Sequence, residues 1–142
     1  MIEVSGVVKD FKISKGLFRG KDILRAVDDV SLNIESGDVL AIVGESGCGK
    51  TTLARIILGL LPTDLGEVKF NGTALSDFKK LDLARLVQPI FQDPYSSLNP
   101  RKTIGEIIEL PLRVQGSRGG TDRKKLTLEN MDLVGLHSRM YD

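Results

Sequence analysis

A glycine-rich stretch contains the residues that are best suited to chemistry. It reads Gly44-Glu-Ser-Gly-Cys-Gly-Lys-Thr51 and matches G-x-x-x-x-G-K-[ST] at every fixed position. Its three glycines allow backbone dihedral angles that a Cβ atom would forbid, so that successive N–H groups can converge on phosphate oxygens. Lys50 supplies a positive charge for the outer phosphates, and Thr51 supplies a hydroxyl for Mg²⁺. The stretch therefore predicts a site for a nucleoside triphosphate.

The elements on either side of this loop are those that the motif requires. Residues 39–43 are all apolar, which predicts a strand buried on both faces of a parallel sheet. Residues 52–61 have the apolar spacing of an amphipathic helix, and this helix is expected to begin near Lys50. Its N-terminus would add unpaired N–H groups and the positive end of its dipole. A glycine-rich turn that matches by chance is the alternative, and the flanking strand and helix disfavour it.

Composition excludes several classes of protein. The chain has 142 residues, 41% hydrophobic and 27% charged, with a formal net charge of +1. This balance is typical of a globular domain and disfavours a nucleic-acid binder. The single cysteine, Cys48, excludes an internal disulfide and fits a reducing compartment. No apolar run approaches the roughly 20 residues of a membrane-spanning helix, so any membrane association is expected to go through a partner.

The remaining elements follow from local patterns. Residues 10–22 are rich in lysine and glycine and predict a loop, and a tight turn at residues 35–38 predicts that strand 23–34 forms a hairpin with residues 39–43. Asn71-Gly72 predicts a second hairpin, and Thr103 with Glu106 predicts a capping box that opens a helix ending near Pro111. Further strands are predicted at 2–8, 67–70, 73–75 and 86–91, helices at 81–86 and 121–134 with Gly135 as cap, a loop at 92–101 and a flexible link at 115–120.

Two stretches together resemble a known family. The first is the glycine-rich loop, and the second is Ile90-Phe-Gln-Asp-Pro-Tyr-Ser-Ser-Leu-Asn-Pro-Arg101. The chain resembles the ATP-binding subunits of ABC transporters, and the second stretch looks like the importers of dipeptides, oligopeptides, nickel and glutathione. The resemblance implies an α/β fold: a P-loop NTPase (RecA-like) core with an N-terminal antiparallel β-subdomain, truncated before the signature motif. Which cargo is carried is not readable from this chain.

The resemblance also implies roles for individual residues. Gln92 corresponds to the glutamine that meets the metal and the attacking water, so that Thr51 and Gln92 are the expected contacts of Mg²⁺. Phe11 stands where the family stacks an aromatic ring on adenine, with Phe18 as the competitor, and Val27 where an apolar residue packs against the base. The expected ATP-binding residues are Phe11, Val27, Gly44, Glu45, Ser46, Gly47, Cys48, Gly49, Lys50, Thr51 and Thr52.

Three motifs of the family do not occur in these residues. There is no Ser-Gly-Gly-Gln signature and no apolar strand that ends in paired acids, and the only histidine, His137, precedes the place of the switch histidine. Hydrolysis needs a carboxylate to orient water, so the chain by itself is expected to be inactive. We therefore expect a chain that ends before the signature, whose apolar strands lack neighbours and whose stability is marginal.

Partners and domains follow from the resemblance. The loop from Gln92 to Arg101 is expected to contact transmembrane permease subunits. A second ATP-binding subunit would complete a dimer at the cytoplasmic face of the cell membrane. No nucleic acid is expected among the partners. Residues 1–142 are expected to be the N-terminal part of one nucleotide-binding domain. Its parts would be antiparallel β elements (1–38 and 66–75), the strand, loop and helix around the glycines (39–61), the Gln92 strand and loop (87–101) and the start of a helical subdomain (103–142).

Two other functions stay open. A non-catalytic nucleotide-binding or assembly fragment without ATPase activity is consistent with all 142 residues. An unrelated P-loop phosphotransferase or GTPase has less support, because no base-specificity motif such as Asn-Lys-x-Asp occurs. Turnover distinguishes the importer subunit from the non-catalytic fragment.

Overall fold

A computed structural model describes residues 1–14, 21–114, 116 and 120–142 of the chain. The described residues form two compact units, Met1–Pro89 and Ile90–Asp142. Three features predicted from the sequence lie at least in part outside the described residues: the middle of the 10–22 loop, the alternative platform Phe18, and most of the 115–120 link. The boundary between the units falls within the range 87–101 that was predicted to carry the Gln92 strand and loop. The assignment of the chain to one domain stays a prediction.

The first unit is built on a four-stranded antiparallel sheet. Its strands are β1 (Ile2–Ser14), β2 (Lys21–Ile34), β3 (Leu65–Phe70) and β4 (Thr73–Ala74), in the order β2-β1-β3-β4. The long strands reflect their many β-branched residues, which suit a pleated and half-buried surface. The predicted 10–22 loop is therefore wrong at both ends, where residues 10–14 and 21–22 pair across β1 and β2.

Helix α1 (Lys50–Ile57) covers the sheet. It buries Leu53, Ile56 and Ile57, the apolar positions that the sequence pattern indicated. The helix ends earlier than predicted, and Leu60 is exposed. The core between α1 and the sheet consists of Val4, Val7, Val27, Leu53, Ile56, Ile57 and Val68.

The apolar run before the glycine loop differs most from its prediction. Residues 39–43 belong to no strand, and Val39 and Val43 are 97% and 90% exposed. The predicted hairpin with residues 23–34 is wrong, because β2 pairs with β1 instead. A strand buried on both faces needs a neighbour on each edge and cover on each face. The four described strands form a separate antiparallel sheet and provide none of these, so residues 40–43 only line an open cleft of about 670 Å³ beside β2 and α1.

The predicted strand at 86–91 is also wrong. Leu86, the first residue of the predicted strand, is the last residue of helix α2 (Lys80–Leu86), and residues 87–91 pair with no described strand. Helix α2 itself agrees closely with the helix predicted at 81–86. Pro89 lacks the N–H that a central strand needs, and Ile90 is 97% exposed. The hairpin predicted at Asn71-Gly72 is present: both residues have positive φ, 49° and 79°, as the tight turn between β3 and β4 requires.

The described residues of the second unit include two α-helices, α3 (Ile104–Val114) and α4 (Gly120–Leu133), and 3-10 helices at Tyr95–Ser97 and Ser138–Met140. The capping box is present, because the Thr103 N–H donates to Glu106 Oε2 and the Glu106 N–H to Thr103 Oγ1, each over 3.2 Å. Helix α3 continues past Pro111, where it was predicted to end, since packing against α4 outweighs the one hydrogen bond that a proline removes. Gly135, with φ of 74°, follows the end of α4 as predicted.

Candidate phosphate-binding site

The glycine loop lies between residue 43 and α1, and its last residues adopt backbone angles that favour glycine. Gly47 and Gly49 have φ values of 85° and 97°. A Cβ atom built on Gly49 would lie 2.1 Å from the carbonyl oxygen of Ala26 in β2. Glycine at this position therefore lets the loop approach the sheet closely, which fixes where α1 begins.

The Lys50 side chain folds back into the loop. Its Nζ atom donates hydrogen bonds to the carbonyl oxygens of Gly44 and Glu45, over 2.7 and 2.6 Å, and lies 3.6 Å from Cys48 Sγ. Cys48 itself is an exposed free thiol. The loop thus encloses one fixed positive charge.

The start of α1 lies directly beside that charge. The helix begins at Lys50, and the first amides of a helix have no acceptor within it. Together with the helix dipole, these N–H groups favour an anion at this point. The loop, the ammonium and the helix end therefore fit a phosphate chain, and the exposed Thr51 adds a hydroxyl oxygen of the kind that Mg²⁺ prefers.

A cleft of about 220 Å³ joins the start of α1 to the sheet. Phe11 comes to it from β1, and its side chain is 37% exposed. One side of the cleft is therefore apolar, and the other side is formed by the N-terminus of α1, which attracts anions. This combination suits an aromatic base attached to phosphates. Its lining residues are Phe11, Leu24, Ala26, Gly47, Gly49, Lys50, Thr51 and Thr52.

Val27 lies in the core and not in the cleft, where packing against the base would require it. It is 5% exposed, belongs to the core and does not line this cleft. Its neighbour Ala26 lines the cleft instead, because successive side chains of a strand point to opposite faces. Ala26 and Leu24 were missed by sequence reasoning. The pairing of Phe11 with Leu24 would have identified one of them had residues 10–14 been recognised as a strand.

Gln92 belongs to the second unit and is exposed there. The loop that follows it is ordered by its own side chains, since Asp93 Oδ1 accepts the N–H groups of Tyr95 and Ser96 over 3.1 and 3.3 Å. Asn99 Oδ1 likewise accepts the Arg101 N–H over 3.0 Å. These turns hold a polar loop that also exposes apolar side chains: Phe91, Tyr95 and Leu98.

Comparison with known proteins adds a family to this geometry. The profile described as ABC transporter matches residues 27–141. The dipeptide transport ATP-binding protein DppF of Escherichia coli is 40% identical over the whole chain, which covers 43% of that protein. DppF of Haemophilus influenzae is 38% identical, with 44% of its length covered, and the oligopeptide transport ATP-binding protein AppF of Bacillus subtilis is 39% identical over 96% of the chain and 43% of its own length. The chain thus spans less than half the length of these relatives.

Solved structures agree with the sequence matches. The ATP-binding cassette MJ0796, described as a dimer in a post-hydrolysis state bound to ADP and Pi, superimposes with a TM-score of 0.74. It is 30% identical, and the match covers 99% of this chain and 60% of that one. A second dimeric structure of MJ0796, described as a bacterial ABC transporter cassette, gives a TM-score of 0.75. Among the described residues, no helix combines the length and apolarity that crossing a membrane requires.

Proposed function

Because the chain belongs to the ABC transporter family, we propose that it binds ATP as part of the ATP-binding subunit of a peptide importer. One observation carries the proposal: the fold brings Phe11 to the same cleft as the glycine loop and the start of α1. A phosphate-binding loop alone would suit many nucleotides and anions. A ring beside it adds a surface on which a base can stack.

The residues divide between the parts of the nucleotide. Lys50 and the amides at the start of α1 hold the phosphates, and Phe11 stacks on the adenine. Gly44, Glu45, Ser46, Gly47, Cys48 and Gly49 shape the loop, and Thr52 borders the cleft. Thr51 would hold Mg²⁺, which would neutralise charge on the outer phosphates, and the role of Gln92 toward the metal stays an expectation from the resemblance. Val27 supports the base only from within the core.

Hydrolysis and transport are proposed for the assembled importer rather than for these 142 residues by themselves. The residues contain neither the signature nor a strand that ends in paired acids, and their one histidine, His137, is not expected to be the switch histidine. Binding without measurable turnover is therefore expected of the chain alone. A role as a non-catalytic or assembly fragment is the second candidate, favoured by the exposure of residues 39–43.

The relatives and the second unit support a proposal about the partners. We place the loop from Gln92 to Arg101 against transmembrane permease subunits at the cytoplasmic face of the membrane, because that loop exposes apolar side chains from an ordered turn. A second ATP-binding subunit is proposed by analogy with the dimeric MJ0796. The names of the relatives support peptide as cargo.

Calorimetric titration of the purified chain with ATP and Mg²⁺ tests the proposal. We expect binding that Lys50→Ala weakens by at least about tenfold, because a charge-assisted hydrogen bond to phosphate is lost. Lys79→Ala is the matched control, since this exposed lysine does not line the cleft. Phosphate release should not exceed background. Failure of the wild-type chain to bind ATP would refute the proposed function. Hydrolysis of ATP by the chain alone would refute the proposal that hydrolysis requires the assembled importer.

A further inference from the structure

The loop that follows α1 holds an irregular part of β1. The Asp64 N–H donates to the Val8 carbonyl over 2.9 Å, and Thr63 Oγ1 donates to the same oxygen over 3.1 Å. The Asp64 carboxylate accepts the Asp10 N–H at Oδ2 over 2.7 Å and the Lys9 ammonium at Oδ1 over 3.0 Å. Two loop residues thus fix three consecutive residues of the strand.

These three residues lie where β1 departs from regular pairing. The register against β2 shifts between Val7 and Lys9 and again between Lys9 and Asp10, and the register against β3 shifts between Ser5 and Val8. Irregular pairing leaves backbone groups without ladder partners and redirects the side chains that follow. On the side of β3, whose pairing with β1 ends at Val8, the Asp64 carboxylate accepts the N–H of Asp10, one residue before Phe11.

The Lys9 side chain connects the same carboxylate to the ring. Lys9 is only 8% exposed, and a buried ammonium needs a partner, which Asp64 provides. The Lys9 Nζ atom lies 5.9 Å from the centroid of the Phe11 ring, within the range of a cation–π interaction. Release of Asp64 would therefore free both the backbone before Phe11 and the cation beside its ring.

A second ion pair holds the strand from the β2 side. Arg25 Nε donates to Asp10 Oδ1 over 3.0 Å, and Arg25 also reaches Asp28. The Arg25 side chain is 50% exposed and the Lys9 side chain 9%, so solvent screens the Arg25–Asp10 pair more than the Lys9–Asp64 pair. The loop after α1 is thus the stronger of the two anchors.

We propose that Asp64 is a positioning residue that holds Phe11 in place for the base, so that the loop after the helix of the phosphate site also sets the base platform. The proposal rests on the proposed ATP-binding function. It assigns to residues outside the cleft a role in distinguishing ATP from a bare phosphate chain.

The test compares ATP with inorganic tripolyphosphate, each with Mg²⁺, by calorimetric titration of the chain. Asp64→Asn should weaken ATP about three- to tenfold, because a displaced ring loses part of its stacking, and should leave tripolyphosphate within about twofold. Phe11→Ala should show the same selectivity with a larger loss. In the double variant Phe11→Ala/Asp64→Asn, the loss of ATP affinity should equal that of Phe11→Ala alone, because Asp64 acts through the ring.

Glu67→Gln is the matched control, since it neutralises a carboxylate paired with Lys69 over 2.6 Å on the same sheet. If Asp64→Asn does not fold, Lys9→Met/Asp64→Asn removes the buried charge together with its partner and gives the same comparison. Equal losses for both ligands, or an additive double variant, would overturn the positioning role. Failure of the wild-type chain to bind either ligand would instead overturn the proposed function.

Discussion

At the scale of single residues, glycine positions decide whether the phosphate loop can form. Gly49 and Gly37 have similar φ values of 97° and 91°, yet only Gly49 has a carbonyl in the path of a Cβ atom. Strain from the dihedral angle and strain from the clash can therefore be separated. The loop motif itself was readable from the sequence, but the contact between Gly49 and Ala26 was not, because it depends on how β2 lies beside the loop.

Gly49→Ala is expected to abolish detectable ATP binding, since the loop must move away from Ala26 and with it the start of α1. Gly37→Ala has the same unfavourable φ and nothing within 4 Å of the new atom. It should cost about 1 kcal/mol of stability and leave the affinity unchanged. Titration with ATP and thermal unfolding of both variants provide the comparison. Equal loss of affinity in the two variants would contradict this view of the loop.

At the scale of elements, local signals were readable and long-range pairing was not. The capping box of Thr103 and Glu106 and the Asn71-Gly72 turn depend on neighbours within a few residues, and both are present. Residues 39–43 were assigned to a buried strand because their pattern is apolar, whereas burial requires other strands. The loop predicted at residues 10–14 is wrong for the same reason, because these residues extend β1 by pairing with β2.

The first turn of α3 gives a prediction at this scale. Thr103→Ala removes the hydroxyl that accepts the Glu106 N–H and should destabilise the second unit by about 1 kcal/mol. Glu106→Gln keeps an oxygen that can accept the Thr103 N–H, so it should cost only a few tenths of a kcal/mol. Thermal unfolding followed by helical circular dichroism measures both. A larger effect of Glu106→Gln than of Thr103→Ala would show that charge, rather than capping, matters here.

The contacts of Asp64 with Lys9 and Asp10 predict that the stability of the fold depends on pH. The Asp10 N–H, and then the Lys9 ammonium, hold the pKa of Asp64 below its ordinary value of 3.8, and the charges of Lys9 and Lys12 act in the same direction. Because the folded-state pKa is the lower one, the stabilisation is present above about pH 4 and is lost as the pH falls through the folded-state pKa.

We therefore expect wild type to melt above Asp64→Asn at neutral pH and the difference to narrow below about pH 4. Melting temperatures of both proteins across this range give the measurement. Glu67→Gln, in the neighbouring strand β3, serves as the reference for a neutralised carboxylate. A difference that stays constant down to about pH 2 would mean that the Asp64 charge does not stabilise the fold.

At the scale of the whole molecule, the resemblance to the ABC transporter family and the predicted fold class are confirmed, whereas the strands predicted at 39–43 and 86–91 do not occur among the described residues. The sequence predicted an α/β fold with an antiparallel β-subdomain, and the described strands form the antiparallel part. The apolar residues 39–43 and Ile90 remain exposed. An apolar pattern shows that a segment suits burial but does not identify the neighbours that would bury it. Marginal stability of the isolated chain stays a prediction.

The exposure of residues 39–43 can be tested by substitution of two valines. Val39→Ser and Val43→Ser should reduce self-association, measured by light scattering, and change the free energy of unfolding by no more than about 0.5 kcal/mol. Val4→Ser is the matched control in the core, where it should cost about 3 kcal/mol. If Val39→Ser destabilises the chain as much as Val4→Ser does, residues 39–43 are buried in solution.

The central place of β1 in the sheet has a consequence for synthesis. Its partner β2 follows directly in the chain, whereas β3 ends only at Phe70. At about 5–20 residues per second, a ribosome needs roughly 2–7 s between the end of β2 and the end of β3. During that interval the nascent chain carries a two-stranded hairpin whose inner edge has no partner. Val4 and Val7, which become the most deeply buried residues of the finished sheet, therefore still lack their β3 neighbour Val68 throughout this interval.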